Sequence, residues 1–313
     1  MGKRTTTGNA PRDVAQEITD LILAQLEQGT VPWHQPWRAT GGALPRSMAT
    51  GRTYRGMNSI LLGMYANAAG YTSPWWCTFR QIKALGGHVN KGEHGSTVIL
   101  YRTIERDDVD ANGEDVVRRI PLLRAFNVFN ASQCTDLPVK YTEPPARTRT
   151  EHEAIEDAEA IVKTYINGGK GPTMGFGGDR AYYSLSIDHV QVPHVLDFHT
   201  AEGYYSTTFH ELTHSTGHKD RLNRDGIVEG HRFGDALYAA EELVAEMGAA
   251  ILCAMAGIDQ TVTVPNSAAY VENWLGALKG DKKLILKAAG AAQRAATFIA
   301  PEPDVADEDG EEA

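Results

Sequence analysis

The sequence predicts an α+β protein of two domains, an α/β domain followed by a mainly helical one. Two observations support this fold class. Residues 96–104 and 118–130 are rich in β-branched and aromatic residues, as strands are, and a loop with the hairpin-favouring pair Asn112-Gly113 lies between them. After residue 150, apolar residues recur at helical spacing in most segments. A chain of 313 residues is long enough for two cores.

The first half begins with a clearly marked helix. Asp13 can cap it, apolar residues then repeat at intervals of three and four, and Gly29 ends it. We expect a further short helix within "YTSPWWCTFRQIKALGG", ending at Gly86 and Gly87. Together with the hairpin, these elements predict a first domain over residues 1–140.

Residues 141–150 contain two prolines and alternating charges without periodicity, which indicates a linker. The second predicted domain, residues 151–300, begins with an amphipathic helix and a strand. Two long helices near 205–217 and 235–256 follow, and two more close the domain. Within the strand, "DHVQVP" is expected at a sheet edge, where an extended peptide could pair with it.

The net charge of -10 is unevenly distributed along the chain. Residues 1–141 carry 16 Lys and Arg against 12 Asp and Glu, whereas the remainder carries 14 against 28. Seven of those acids lie in residues 301–313, which we expect to be a disordered acidic tail. The basic first half is therefore the expected binding region for a polyanion.

Three features predict a cytoplasmic protein with no membrane partner. No stretch is long and apolar enough for a membrane span. The start of the chain lacks the apolar run of a secretory signal. The three cysteines are widely spaced without a CxxC pair, as expected of free thiols in a reducing compartment.

The segment "HELTHSTGHKD", residues 210–220, has the spacing of a metal-binding helix. His210 and His214 are one turn apart, so both imidazoles can bind one metal ion from the same face. Glu211 is placed to act as the general base that takes a proton from water. This HExxH arrangement is typical of zinc peptidases, so we predict Zn²⁺, with another divalent metal such as Mn²⁺ as the alternative.

Two segments offer candidates for the third ligand. Asp220 would complete the pattern HExxHxxGxxD, and His218 is close in sequence but falls two residues before that position. Glu242 and Glu246 are four residues apart in an otherwise almost wholly apolar helix, where inward-facing acids are costly unless a metal and its histidines neutralise them. Glu241 is the remaining alternative.

"ELVAEMGA", residues 242–249, resembles the ExxxD helix of gluzincins. The resemblance implies that Glu242 binds the metal and that Glu246 orients a ligand histidine. Gly248 would let this helix pack closely on the HExxH helix. Tyr238, one turn before Glu242, is either a core aromatic or a donor to a developing oxyanion.

Tryptophans beside cations mark the first half as the candidate nucleic-acid interface. Four of the five tryptophans lie within the first 76 residues, with Arg and Lys nearby. Aromatic rings that stack on bases, next to cations for phosphates, are what single-stranded DNA binding requires, although a tryptophan-rich core has the same composition. The candidate contacts are Trp33, Trp37, Arg55, Trp75, Trp76, Arg80 and Lys91.

The segments "LEQGTVPWHQPW", "GRTYRGMNSILL" and "FNVFNASQC" resemble the N-terminal domain of ArdC-type antirestriction proteins, which is also found in some plasmid primases. "FHELTHSTGHKDRLNRD" and "YAAEELVAEMGAAIL" resemble the metallopeptidase domain of the same proteins. The resemblance covers roughly residues 10–300 and implies a single-stranded-DNA-binding domain followed by a zincin-like one.

Three functions are compatible with this resemblance. The first is protection of incoming mobile-element DNA from host restriction, with cleavage of a protein substrate such as a restriction enzyme subunit. In the second, the chain protects by occupying DNA and the metal site is not used for proteolysis. The third is a DNA-dependent protease for DNA-protein crosslinks.

Overall fold

A computed structural model describes residues 12–34, 36–109, 114–142, 151–228, 236–258 and 268–301. Residues 143–150 of the predicted linker and 302–313 of the predicted acidic tail lie outside this range. The helices of the described segments are α1 Val14–Glu27, α2 Met57–Ala69, α3 Phe79–Ala84, α4 Val139–Thr142, α5 Glu151–Asn167, α6 Ala201–Ser215, α7 Asp225–Val228, α8 Ala236–Ala256, α9 Ala268–Gly280 and α10 Leu284–Ile299.

Nine strands form three sheets in the described segments. Four strands lie in the order β1-β2-β5-β4, two pair as β3-β6, and three lie in the order β7-β9-β8. The strands are β1 Arg46–Ser47, β2 Trp75–Thr78, β3 His88–Val89, β4 Ser96–Val109, β5 Asp115–Asn130, β6 Cys134–Thr135, β7 Thr173–Phe176, β8 Tyr182–Ser184 and β9 His189–Val192. This mixture of helix and sheet confirms the predicted α+β class.

The first half contains the predicted helix and hairpin. The Asp13 side chain accepts a hydrogen bond from the Gln16 backbone N–H and so caps α1, and Gly29 follows the helix with a φ of +75°. Strands β4 and β5 pair antiparallel from Ser96 opposite Val128 to Val109 opposite Asp115. The predicted Asn112-Gly113 turn lies outside the described residues.

The predicted short helix is present, whereas the predicted edge strand does not lie at a sheet edge. The tryptophan pair of "YTSPWWCTFR" lies in strand β2, and the helix begins only at Phe79, because Thr78 and Gln81 form a capping box there. Strand β9, which contains most of "DHVQVP", is the central strand of its sheet, so neighbours on both sides already satisfy its backbone. The exposed edges of that sheet are β7 and β8.

In the second half, α8 packs against both α6 and α10. A Cβ added to Gly248 of α8 would lie 2.6 Å from Cγ2 and 2.8 Å from Oγ1 of Thr213 on α6. The absence of a side chain at Gly248 therefore allows the two helices to approach closely, as predicted. None of the helices in the described segments is both long and apolar enough to cross a bilayer.

The largest buried cluster crosses the predicted domain boundary. It contains apolar residues of α1 and the buried Trp33 and Trp37, together with the inward faces of α5, α6, α8, α9 and α10. The Thr19 hydroxyl donates to the Lys282 carbonyl at 2.8 Å, and the Gly56 N–H donates to Gln293 Oε1 at 2.9 Å. Two smaller clusters belong to the first half alone. The first half is thus fixed to the second by its own N-terminal segments.

Candidate metal centre and nucleic-acid interface

Helix α6 presents two histidines to one point. Thr200 caps the helix by accepting from the Gly203 N–H at 3.1 Å. One turn separates His210 from His214, and their Nε2 atoms lie 3.1 Å apart. Both rings therefore direct the same type of nitrogen to a shared position.

Helix α8 supplies a carboxylate at that position. Glu242 Oε2 is 3.6 Å from His210 Nε2, and Glu242 Oε1 is 3.5 Å from His214 Nε2. A tetrahedral zinc with bonds of about 2.0–2.1 Å holds its ligand atoms about 3.3–3.4 Å apart. The three side chains thus fit a divalent cation, and all their ligand atoms lie within 4.8 Å of one another.

Each histidine has a second carboxylate on its opposite nitrogen. His214 Nδ1 lies 3.3 Å from Glu241 Oε1, and His210 Nδ1 lies 3.5 Å from Glu246 Oε1. A carboxylate that accepts the Nδ1 proton fixes the tautomer and leaves the Nε2 lone pair free for a metal. The arrangement orients both imidazoles toward Glu242.

Arg224, in the loop between α6 and α7, holds the carboxylate of Glu241 in place. Its guanidinium donates to both Glu241 oxygens, at 2.9 Å and 2.6 Å, and to the Thr213 carbonyl at 2.8 Å. Arg224 therefore neutralises a buried acid and satisfies a carbonyl near the end of α6. Glu241 is 5% exposed, and both of its carboxylate oxygens accept from Arg224. It is therefore a buried acid that orients His214 and not a solvated one.

The titration of the site reflects this concentration of opposite charges. Burial lowers the pKa of His210 and His214, but the neighbouring carboxylates raise it more, and the pKa of His214 is well above its ordinary value. For Glu241 and Glu242, burial raises the pKa, and their arginine and histidine partners lower it more. The side chains thus stabilise positive charge at the position that a cation would take.

The competing third-ligand candidates lie away from this point. The side chain of Asp220 is 74% exposed and pairs with His218 Nδ1 at 3.5 Å. Gly217 precedes them in close contact with Ile227, since an added Cβ would lie 2.5 Å from Ile227 Cγ1. The turn therefore directs Asp220 outward.

Glu211 and Tyr238 lie beside the three ligand candidates. Glu211 is 8% exposed, and its charge is among those that raise the pKa of His210. Burial, followed by the charge of Glu242 and the hydroxyl of Tyr270, raises the pKa of Tyr238 well above its ordinary value. The Tyr238 hydroxyl is therefore a proton donor at the edge of the site.

Comparison with known proteins agrees with this geometry. Residues 12–129 match the N-terminal domain of anti-restriction factor ArdC, and residues 158–291 match a zincin-like metallopeptidase domain. The crystallised, metal-free antirestriction ArdC protein of plasmid R388 is 41% identical, with a TM-score of 0.72 over 92% of this chain and 97% of that one. The chain belongs to the ArdC antirestriction family.

Other relatives extend the comparison. The Mn(II)-bound structure of R388 ArdC is 40% identical, with a TM-score of 0.71 over 92% of this chain and 97% of that one. The uncharacterised protein y4eC of Sinorhizobium fredii is 37% identical over 94% of this chain and 93% of its own length. A DNA primase TraC of Escherichia coli is 35% identical over 91% of this chain but only 27% of its own length. The ArdC-type sequence thus corresponds to a minor part of that primase.

The ArdC-type first half holds most of the predicted DNA-contact tryptophans in its interior. Trp33 and Trp76 are 0% exposed and Trp37 is 4% exposed. A ring with no accessible face cannot stack on a base, so the predicted base contact was wrong for these three residues in this structure. These three residues form the tryptophan-rich core that the composition also allowed.

Other predicted contacts remain accessible on the ArdC-type domain. Arg55, Arg80 and Lys91 are exposed, and Trp75 is half-buried. Arg46 lies over the Trp75 ring, with its Cζ 6.0 Å from the ring centroid. The accessible members of the predicted set are therefore three cations and one indole.

Sequence reasoning missed an exposed aromatic residue of the same domain. Phe79 is 48% exposed, and Lys83 Nζ lies 5.0 Å from its ring centroid. The Phe79 ring is 6.3 Å from that of Phe129, which packs with Trp75 against one small core cluster. An aromatic with a cation one turn away on α3 was the signal that could have identified it.

Two supporting residues of the metal centre were also missed. Arg224 lies in the polar segment after the HExxH helix, where an arginine has no distinguishing pattern. His34 belongs to the ArdC-type first half, and its Nε2 lies 3.1 Å from Glu246 Oε2. Residues 34 and 246 are 212 positions apart, so no local signal links them.

Proposed function

We propose that this chain protects incoming mobile-element DNA from restriction by binding single-stranded DNA and cutting a protein associated with it. His210, His214 and Glu242 would hold Zn²⁺, with Mn²⁺ as an alternative metal. The protein substrate is a DNA-bound one such as a restriction enzyme subunit. The convergence of two Nε2 atoms and a carboxylate, each histidine supported by a second acid, is the observation that carries this proposal.

The chemistry of the site follows from its residues. When bound, zinc supplies a Lewis acid that polarises a peptide carbonyl and activates water. Glu211 takes a proton from the attacking water and delivers it to the leaving amine. Tyr238 donates a hydrogen bond to the oxygen on which negative charge develops. Glu241 and Glu246 keep the two histidines in the required orientation.

We place the DNA on the surface that carries Trp75 and Phe79. Each ring is accompanied by a cation, Arg46 at Trp75 and Lys83 at Phe79. Trp75 and Phe129 pack on the same small core cluster, and the Phe79 ring lies 6.3 Å from that of Phe129. Stacking on aromatic rings and phosphate pairing with nearby cations would bind single strands without sequence preference. Arg80 and Lys91 are further phosphate contacts.

The proposal is tested by measuring protection of transferred plasmid DNA in a restricting host. Glu211→Gln keeps the size of the side chain but removes the general base, so we expect protection to be lost. Glu156→Gln is the matched control, because the Glu156 side chain is 67% exposed on α5. Protection by Glu211→Gln equal to wild type would show that the chain acts by occupying DNA.

A second arm separates restriction from crosslink repair. Purified chain is incubated with a DNA-bound restriction enzyme subunit and, separately, with an unrelated protein crosslinked to single-stranded DNA. Cleavage of the subunit by wild type and not by Glu211→Gln supports the proposal. Cleavage confined to the crosslinked protein would identify the chain as a crosslink protease instead.

A further inference from the structure

The N-terminal segment around His34 is fixed on both sides by buried tryptophans. Trp33 packs edge-on against Trp274 of α9, with ring centroids 5.2 Å apart. The Trp37 indole donates to the Ser59 carbonyl at 3.1 Å. Both rings are almost fully buried, so the backbone that carries His34 has little freedom. The segment belongs to the first half in sequence but contacts the second half.

A chain of contacts connects this segment to a proposed metal ligand. His34 Nε2 lies 3.1 Å from Glu246 Oε2. The other oxygen of the same carboxylate, Oε1, lies 3.5 Å from His210 Nδ1. The side chains of His34 and Glu246 are 27% and 18% exposed, which leaves the contact partly shielded from solvent. Glu246 therefore bridges the two histidines, one from each half.

We propose that His34 is a positioning residue of the metal centre, which holds Glu246 so that Glu246 can orient His210. The inference rests on the proposed metal site and adds a residue from outside the metallopeptidase match. The metal centre is then complete only when the segment around His34 is docked on α8.

The physical reason is the rotational freedom of the Glu246 side chain. The contact from Glu246 to His210 is long, and a glutamate side chain has several rotamers. A second hydrogen bond from His34 to the other oxygen fixes the plane of the carboxylate. The Nδ1 proton of His210 then has one preferred acceptor, and its Nε2 stays directed at the metal position. The loss of His34 leaves the ligands present but less well oriented.

The contact also links the two halves thermodynamically. If docking of the His34 segment favours the metal-ready orientation of His210, bound metal must favour docking to the same extent. The metal centre and the ArdC-type first half are then one functional unit. His34 would be the point through which rearrangement of the first half alters metal affinity.

The experiment measures Zn²⁺ and Co²⁺ affinity of the full-length chain by competition with a chromophoric chelator. We expect Glu246→Ala to weaken binding about 10- to 100-fold, as removal of an outer partner of a metal ligand does. His34→Ala, one contact further out, should weaken binding by a smaller factor of about 3 to 10. His34→Gln retains an N–H donor and should restore most of the affinity. The Co²⁺ absorption spectrum should shift in His34→Ala, since ligand geometry changes.

A double-mutant cycle decides whether His34 acts through Glu246. We expect the double variant His34→Ala, Glu246→Ala to bind metal as weakly as Glu246→Ala alone. His88→Ala is the control, because His88 is an exposed histidine of the first half paired with Asp136. Thermal unfolding with excess chelator, compared across the variants, verifies that the metal-free fold is retained.

Two results would overturn the inference. Unchanged metal affinity in His34→Ala would mean that the contact does not orient the site. If His34→Ala weakens metal binding by the same factor in the wild type and in Glu246→Ala, His34 acts through general packing. Failure of the proposed metal site gives a different signature, because His210→Ala would then bind metal as the wild type does.

Discussion

Arg224 and Glu241 form a two-bond ion pair directly behind His214. The guanidinium Nε and Nη2 meet the two carboxylate oxygens at 2.9 Å and 2.6 Å, and one of those oxygens faces His214 Nδ1 at 3.3 Å. The pair is almost fully buried. The orientation of one proposed metal ligand therefore depends on an arginine that is not itself among the proposed ligands.

Arg224→Ala should destabilise the fold and weaken metal binding together. The substitution leaves the Glu241 carboxylate buried without its main partner, which costs about 3–5 kcal/mol in comparable pairs. Arg224→Lys retains the charge but not the two parallel hydrogen bonds. Its free energy of unfolding should therefore lie between those of the wild type and Arg224→Ala. The free energy of unfolding in urea is the measurement. Arg294→Ala, at an exposed position on α10, should change it by less than about 0.5 kcal/mol.

Glu242→Ala should abolish stoichiometric metal binding while the chain stays folded. Glu242 is the acid whose oxygens face both Nε2 atoms. Elemental analysis after purification should give one metal per chain for wild type and for Asp220→Ala, because the Asp220 side chain is directed to solvent. Metal retained in Glu242→Ala but lost in Asp220→Ala would reverse the ligand assignment.

Gly248→Ala should destabilise the protein by about 1–3 kcal/mol, because the new methyl group overlaps Thr213. Thr213→Ser removes the nearer clashing atom, Cγ2, and should recover part of the loss. Chemical denaturation measures both. Gly276→Ala on α9 is the matched control, since nothing lies within 4 Å of its added Cβ, and it should be neutral or stabilising. An equal loss of stability in Gly248→Ala and Gly276→Ala would contradict the close contact between α6 and α8.

Phe79→Ala should weaken binding of a fluorescent single-stranded oligonucleotide by about 1–3 kcal/mol without altering stability, since the ring is half-exposed. Lys83→Ala should reduce the dependence of affinity on salt concentration, because one phosphate contact is lost. Trp76→Ala should instead reduce stability, because that ring is fully buried. Unaltered DNA affinity in both Phe79→Ala and Trp75→Ala would move the DNA to another surface.

Local features were predictable from the sequence because they depend on spacing along the chain. The period of 3.6 residues identified α1, α5 and the helices that carry His210 and Glu242. Antiparallel pairing of the two apolar strands followed from their composition and separation. The position of two costly acids on an apolar helix indicated an inward-facing Glu242, and the structure places its carboxylate between the two histidines.

Tertiary structure alone decided which groups surround those features. Burial of Trp33 and Trp76 depends on what packs over them, and composition is the same for a core and for a DNA interface. Glu241 and Glu246 face the Nδ1 atoms of the histidines, and other segments bring each of them a further partner, Arg224 to Glu241 and His34 to Glu246. Because backbone propensity encodes neighbours three or four residues apart, it cannot specify a contact across 212 residues, which forms only when the whole core assembles.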